Sequence, residues 1–499
     1  MRTSSGLIRL AAASVLMTSL GLQCPNDTPV VPGPGRISTT SPIDGVTNIA
    51  ANATMRITFS QAASPDSFAS TITPAIDVTA SWSSDNTAVT LAPAVDLAYS
   101  TMYTVTVSAV SFADGSALEA PYSFRFTTLA AGTGFSDKWA LWSSGRTRLR
   151  GADLHPCSVT NTQTNTCAQT ITMQDVQDLR NTGANLINAS YPGLFDEQPP
   201  YNVNPTAQGD LDNLIAWAQQ VGIYVVIHPR SGPGRNEAAI TNPTGNPLTT
   251  VWTDRAAHDG WIEMWRYMAQ RYGEKSVVVG YNLMVEPHVN TWVDPQGTLT
   301  PEQFAQQHAG GLADWNGFAA EITAAIRQVD TETPIIINSL LWASASWFPA
   351  LVPTGDSRTV YSFHSYDPDI YTTQADGATV RYPSVVDGIT FDRSWLEETF
   401  RPVRQFAQQH QVPIYVGEFG LFRWVSDATV FIADEIGLFE QYGWNYAYYV
   451  WRGDEPDFDG FNVEYGADRA NATAIPNNPL QRAFIANWPQ NSDFPPEAN

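Results

Sequence analysis

From about residue 138 onward, apolar strand-like runs alternate with amphipathic helical stretches, and few folds accept that order. The runs are RLRGADL, NLINAS, IYVVIH, SVVVGYNLMVE, TPIIINS, TVYSFH, VPIYVGE and WNYAYYVW. They are almost continuously apolar, as strands covered on both faces must be; a half-exposed antiparallel strand would alternate. Between them lie helical patterns such as MQDVQDLRNTG, AQGDLDNLIAWAQQVG, DWNGFAAEITAAIRQVD and SWLEETFRPVRQFAQQH. The first two run into Gly183 and Gly222, residues suited to a left-handed helix stop. The β/α units over residues 138–490 predict an α/β fold, a (β/α)8 TIM barrel with enlarged loops. A doubly wound open sheet shares the pattern, but no Gly-rich nucleotide turn follows the first run.

The preceding segment, residues 37–128, reads differently. ATMRITFS, AVTLAP, MYTVTVSAV and YSFRFTT are short and alternating, with turn signals at Asp44-Gly45 and Asp114-Gly115, which predicts a small all-β sandwich. It resembles the bacterial Ig-like domains found beside surface and secreted enzymes, notably in SPIDGVTNIAANATMRITFS and the closing YSFRFTT. A spacer role and carbohydrate binding are both compatible with it.

Residues 1–23 carry Arg2 and Arg9 ahead of an apolar stretch too short to span a bilayer, so a signal peptide is expected. Cys24 follows directly and resembles the lipid-modified cysteine of bacterial lipoproteins, although Gln23 stands where that motif prefers a small residue. Residues 24–36, rich in Pro and Gly, read as an extended linker. Export to the cell surface or medium makes a disulfide between Cys157 and Cys167 feasible; free thiols are the alternative. The net charge of −23, with only Lys138 and Lys275 as lysines, repels phosphate backbones and anionic bilayers. Nucleic acid is therefore disfavoured, and membrane contact is expected only through a lipid at Cys24.

In a barrel of this kind, chemistry sits where strands end. Glu286 ends the fourth run and Glu418 the seventh. Two carboxylates at one rim suit glycoside hydrolysis if they lie about 5–5.5 Å apart. Here the sequence resembles glycoside hydrolase family 5, a cellulase-like family of retaining TIM-barrel enzymes, over residues 140–455. VPIYVGEFG resembles the segment holding the family nucleophile, which implies Glu418. GYNLMVEPH resembles the Asn-Glu-Pro segment, which implies Glu286 as acid/base. YSFHSYDP carries the family's His-x-Tyr as His364 and Tyr366, and Trp451 falls where a strand-eight tryptophan lies beneath the reacting sugar.

On chemical grounds, a Tyr366 hydroxyl donating to Glu418 favours the ionised nucleophile. A neighbouring carboxylate and apolar Val285 favour the protonated form of Glu286. Three positions depart from the family. Val285 replaces the Asn that contacts the sugar 2-hydroxyl, Asn188 stands where an arginine is usual, and His228 and Arg230 compete for the strand-three histidine. A divergent subfamily is expected, with Asn188 and Arg230 rebuilding the subsite. Trp292, Trp342, Trp347 and Trp424 could line a groove.

The expectation is a retaining hydrolase of a neutral β-linked polysaccharide or oligosaccharide, endoglucanase-like or acting on mannan. It would act as a monomer without cofactor or metal. The alternatives are a non-catalytic glycan-binding protein and a metal-dependent hydrolase using His155, His228 and His364.

Overall fold

A computed structural model of the chain describes residues 34–495 except 50–52, 96, 129–136, 146, 156–170, 242–245, 374–379, 387 and 453–458. The leader, Cys24, most of the linker, and Cys157 with Cys167 lie outside the described residues.

The N-terminal strands are β1 (Ile37–Ser41), β2 (Val46–Ile49), β3 (Met55–Phe59), β4 (Ala69–Thr73), β5 (Val78–Trp82), β6 (Ala88–Pro93), β7 (Met102–Ala109) and β8 (Tyr122–Thr128). They form two four-stranded sheets, ordered β1-β3-β6-β5 and β2-β8-β7-β4. In β3, Met55, Ile57 and Phe59 are buried while Arg56 and Thr58 are partly exposed, so the period-two pattern places one face in the sandwich core. Gly45 and Gly115 turn with φ +82°, a conformation that favours glycine. The sandwich rests on the second domain: Thr47 Oγ1 donates to the Pro489 carbonyl at 2.8 Å, and Asn181 Nδ2 donates to Ser41 Oγ at 3.0 Å.

The second domain is a (β/α)8 TIM barrel. Its strands are β9 (Arg150–Leu154), β10 (Leu186–Tyr191), β11 (Tyr224–Pro229), β12 (Val278–Asn282), β13 (Ile335–Asn338) and β14 (Thr359–Ser365), then, after a small hairpin of β15 (Ser384–Val386) and β16 (Ile389–Phe391), β17 (Ile414–Phe419) and β18 (Asn445–Tyr448). The eight barrel strands pair in parallel, in chain order, and close as β18 pairs with β9. Each of the eight apolar runs supplies one barrel strand. The helix Met173–Asn181 starts on a capping box between Thr172 and Asp175, and Gly222 caps the helix Pro205–Val221 at φ +73°.

The barrel interior is layered. Leu186, Val226, Ile336 and Val360, with Leu141, Trp142 and Leu149 below, make an apolar floor. Two residues further along each of those strands come Asn188, His228, Asn338 and Ser362, all fully buried. Strand periodicity thus lifts one polar layer above the floor at the strand ends.

Candidate active site

Glu418 owes its direction to an irregularity in β17. Phe363 pairs with Val416 but His364 pairs with Glu418, so Gly417 is the extra residue of a bulge. A Cβ at position 417 would stand 2.9 Å from Ser362 Oγ and 3.2 Å from His364 Nε2, which explains glycine there. Glu286 arrives differently: β12 ends at Asn282, and the chain continues through buried Leu283, Met284 and Val285. Glu286 itself has φ +48°, a left-handed conformation that costs a glutamate roughly 1–3 kcal/mol. Its carbonyl accepts from His288 Nδ1 at 2.8 Å and Arg235 Nη2 at 3.2 Å, two contacts that hold it there.

His364 joins the two carboxylates. Its Nδ1 lies 2.9 Å from Glu286 Oε1 and 3.5 Å from Glu418 Oε2, so those oxygens are at most about 6.4 Å apart, the sum of the two distances. Tyr366 donates its hydroxyl to Glu418 Oε2 at 3.1 Å. Arg230 Nη1 stands 4.0 Å from Glu418 Oε1, while Glu237 holds the same guanidinium at 2.6 Å and Ser190 Oγ accepts from it at 3.0 Å. The Glu286 side chain is 13% exposed and that of Glu418 4%, so Glu286 is the more open to an incoming group.

The electrostatics reverse the order expected from sequence. Burial pushes Glu418 up and the charge of Glu286 adds to this; His364, Arg230 and Tyr366 oppose it, and the net lies above the ordinary carboxyl value. Burial would also raise Glu286, but the hydrogen bond and charge of His364 outweigh it, and the net lies below. His364 is pulled down by burial but raised overall by the two glutamates. The reversal arises because Nδ1 is nearer Glu286 than Glu418, which sequence spacing does not reveal. Burial raises Tyr366 far above its usual range, keeping it a neutral donor.

Three of the residues expected at the sugar subsite lie deeper than, or away from, the two carboxylates. Asn188 is fully buried, with Nδ2 within hydrogen-bond distance of Asp153, His228 Nδ1 and the Gly417 carbonyl. His228 is equally buried, between the amides of Asn188 and Asn338 at 3.2 and 3.1 Å, and burial holds it neutral. Of the two strand-three matches, Arg230 is the one that reaches a carboxylate. Trp451 lines a cavity of about 340 Å³ between the sandwich and the barrel, together with Arg56, Asp178 and Arg452. The strand-eight aromatic facing Glu418 and Arg230 is Tyr449.

Asp153, Glu237, Arg235, Asn338 and Tyr449 were missed from sequence. The usable signal was inward register: Asp153 stands two residues after Gly151 on β9 and faces Asn188. Val285 is fully buried; a side-chain amide from β13 instead steadies this segment, as Asn338 Nδ2 donates to the Met284 carbonyl at 2.9 Å. Trp342 is 37% exposed and stacks on His288 at 4.8 Å. Trp347 packs against Phe304, and Trp424 faces Arg423 and Arg469.

His228, His364 and Glu418 bring ligand atoms within 4.8 Å of one another. The surroundings suit a cation poorly, since side-chain amide nitrogens crowd the His228 ring at 3.2 and 3.1 Å and Arg230 adds positive charge.

Residues 150–455 match the model of the cellulase family, glycosyl hydrolase family 5. The chain belongs to glycoside hydrolase family 5. Residues 32–128 match the bacterial Ig-like domain. Relatives of this family 5 chain include endoglucanase C of Acetivibrio thermocellus, 22% identical over 59% of this chain and 87% of that protein. An endoglucanase of Paenibacillus polymyxa is 26% identical over 50% and 61%. The endoglucanase Cel5A of Thermotoga maritima shares the fold, with a TM-score of 0.51 at 21% identity over 70% of this chain and 99% of that one. The family 5 chain is thus a glycoside hydrolase.

Proposed function

We propose that this enzyme cleaves β-linked polysaccharide, a β-glucan first among the candidates, by double displacement. Glu418 would act as nucleophile and Glu286 as acid/base. One observation carries the reading: His364 Nδ1 contacts both carboxylates, which limits the two oxygens to at most about 6.4 Å. That ceiling is compatible with the ~5–5.5 Å of a retaining pair and lies just under the ~6.5–9.5 Å that leaves room for a water. The endoglucanase relatives favour a glucan backbone.

In the first step Glu418 attacks the anomeric carbon as the glycosidic oxygen leaves with a proton. His364 Nδ1 and Glu286 Oε1 lie 2.9 Å apart, close enough to share one proton. Imidazolium with carboxylate and imidazole with carboxylic acid are the same pair, so the lowered Glu286 still has a proton to deliver. Positive charge developing on the sugar ring favours ionised Glu418, which Tyr366 and Arg230 support. Water, deprotonated by Glu286, then releases the sugar from Glu418 with retained configuration. Trp342 offers its exposed face to a sugar on the leaving-group side. In this reading the leader and Cys24 would take the enzyme to the cell surface or the medium, where it would act as a monomer.

The test is a reducing-sugar screen of wild type and Glu418→Gln on glucans, mannans, xylans and arabinogalactans, with NMR of the first-formed anomer. Turnover by wild type with retention, lost in Glu418→Gln, is expected; inversion or no cleavage refutes the reading. Glu286→Ala should retain turnover on substrates with activated leaving groups, and equal loss on activated and unactivated substrates contradicts its role.

A further inference from the structure

The barrel holds a third carboxylate, which the proposed reaction does not consume. Asp153, on β9, is fully buried at the level of the polar layer, directly above an apolar floor. A carboxyl at that depth is costly compared with an aliphatic side chain, so its presence calls for a compensating role. Its partner is specific: Asn188 Nδ2 lies 3.0 Å from both Asp153 oxygens. The same nitrogen lies 3.2 Å from the carbonyl oxygen of Gly417, the bulge residue that aims Glu418, and 3.2 Å from His228 Nδ1. His228 in turn hydrogen-bonds the carbonyl of Met284, which Asn338 also holds, two residues before Glu286. The two hydrogens of this amide thus lie among Asp153, the Gly417 carbonyl and His228, next to the segments that lead into Glu418 and Glu286.

We infer that Asp153 is a positioning residue for the catalytic pair, acting through the Asn188 amide on the Gly417 carbonyl and through His228 on the Met284 carbonyl. This rests on the assignment of Glu418 and Glu286 above. The Asn188 amide could rotate toward any neighbouring acceptor, and the Asp153 carboxyl fixes which way it turns. Only with that orientation does Asn188 brace the bulge, and a displacement of about 1 Å at a nucleophile can cost on the order of 100-fold in rate. Burial and the facing charge of Glu418 raise Asp153 well above its ordinary value, while Asn188 and Arg230 oppose this. Asparagine imitates the shape of Asp153 and keeps an acceptor oxygen for the Asn188 amide.

The experiment compares kcat, KM and Tm of the full chain for wild type, Asp153→Asn, Asp153→Leu, Asn188→Ala and the Asp153→Leu/Asn188→Ala double variant, on one cleaved oligosaccharide. Expected are kcat within about threefold of wild type for Asp153→Asn and a fall of about 30- to 100-fold for Asp153→Leu and Asn188→Ala. KM should stay within about twofold. The double variant should be no slower than the worse single, because both act through one chain of contacts. A purely structural role would lower Tm and leave kcat of the folded fraction unchanged, and that result overturns the inference. Additive losses, or kcat retained in Asp153→Leu, overturn it as well. Should Asp153→Leu not fold, Asn188→Ala alone decides, an unchanged kcat being fatal. Wild-type turnover abolished by Glu418→Gln keeps the underlying reading intact whichever way this falls.

Discussion

Replacing Arg230 with glutamine should make the enzyme acid-sensitive in a calculable way. The guanidinium lies 4.0 Å from Glu418 Oε1, and unit charges about 4 Å apart at an effective dielectric near 20 interact by about 4 kcal/mol. Glu237, bonded to the same guanidinium at 2.6 Å, cancels much of that. What remains is on the order of 1–2 kcal/mol, or about 5- to 30-fold in kcat/KM. The sign follows from the protonation equilibrium. Arg230 favours ionised Glu418 against the raising effect of burial. Without Arg230 the nucleophile holds its proton to higher pH, and the acid limb of kcat/KM moves upward. The loss should be largest below neutrality and shrink as pH rises. The assay is kcat/KM from about pH 4 to 9 on an aryl β-glycoside with a good leaving group, so that acid assistance does not limit the rate. A loss independent of pH, or an unmoved acid limb, would refute the claim that Arg230 acts on Glu418 by charge.

Three further outcomes follow from the same geometry. Glu435 is fully buried on the helix Ala428–Tyr442, and burial pushes it up to about 8. The folded state therefore binds more protons than the unfolded chain between about pH 4.5 and 8, and stability falls as pH rises through that window. Glu435→Gln should remove this fall, so its Tm advantage over wild type should widen from pH 5 to 8; a constant difference counts against it. Gly417→Ala places a Cβ 3.2 Å from His364 Nε2 and should lower kcat about tenfold with a smaller change in KM, whereas wild-type kcat would show that the bulge tolerates a side chain. Trp451→Phe should leave kcat and KM within about twofold of wild type, because the ring lines the cavity between the domains; a tenfold loss would return Trp451 to the reacting sugar.

Much of the architecture was legible because one local pattern repeats. Every barrel strand is an apolar run read directly from sequence, and Glu286 and Glu418 stood out as acidic residues ending two such runs. What stayed hidden depends on distances between strands. The Gly417 bulge aims Glu418, yet VPIYVGEFG shows no gap. Asp153 stands next to last in RLRGADL, ahead of Leu154, and its role becomes visible only once Asn188 is opposite. Trp451 was assigned by resemblance to the family's strand-eight tryptophan, and the run stays aromatic past the end of β18 at Tyr448, so Tyr449 did not stand out. The protonation order was reversed by the difference between 2.9 and 3.5 Å at one histidine nitrogen.

The central claim is that Glu418 forms the covalent bond to the sugar, and intermediate trapping tests it most directly. The wild type would be incubated with the 2-deoxy-2-fluoro glycosyl fluoride of its preferred sugar, then digested and mapped by mass spectrometry. The account predicts one added sugar mass, on the carboxyl of Glu418 and absent from Glu418→Gln. A label on Glu286, or turnover of natural substrate with no trappable intermediate and an inverted product, would contradict it.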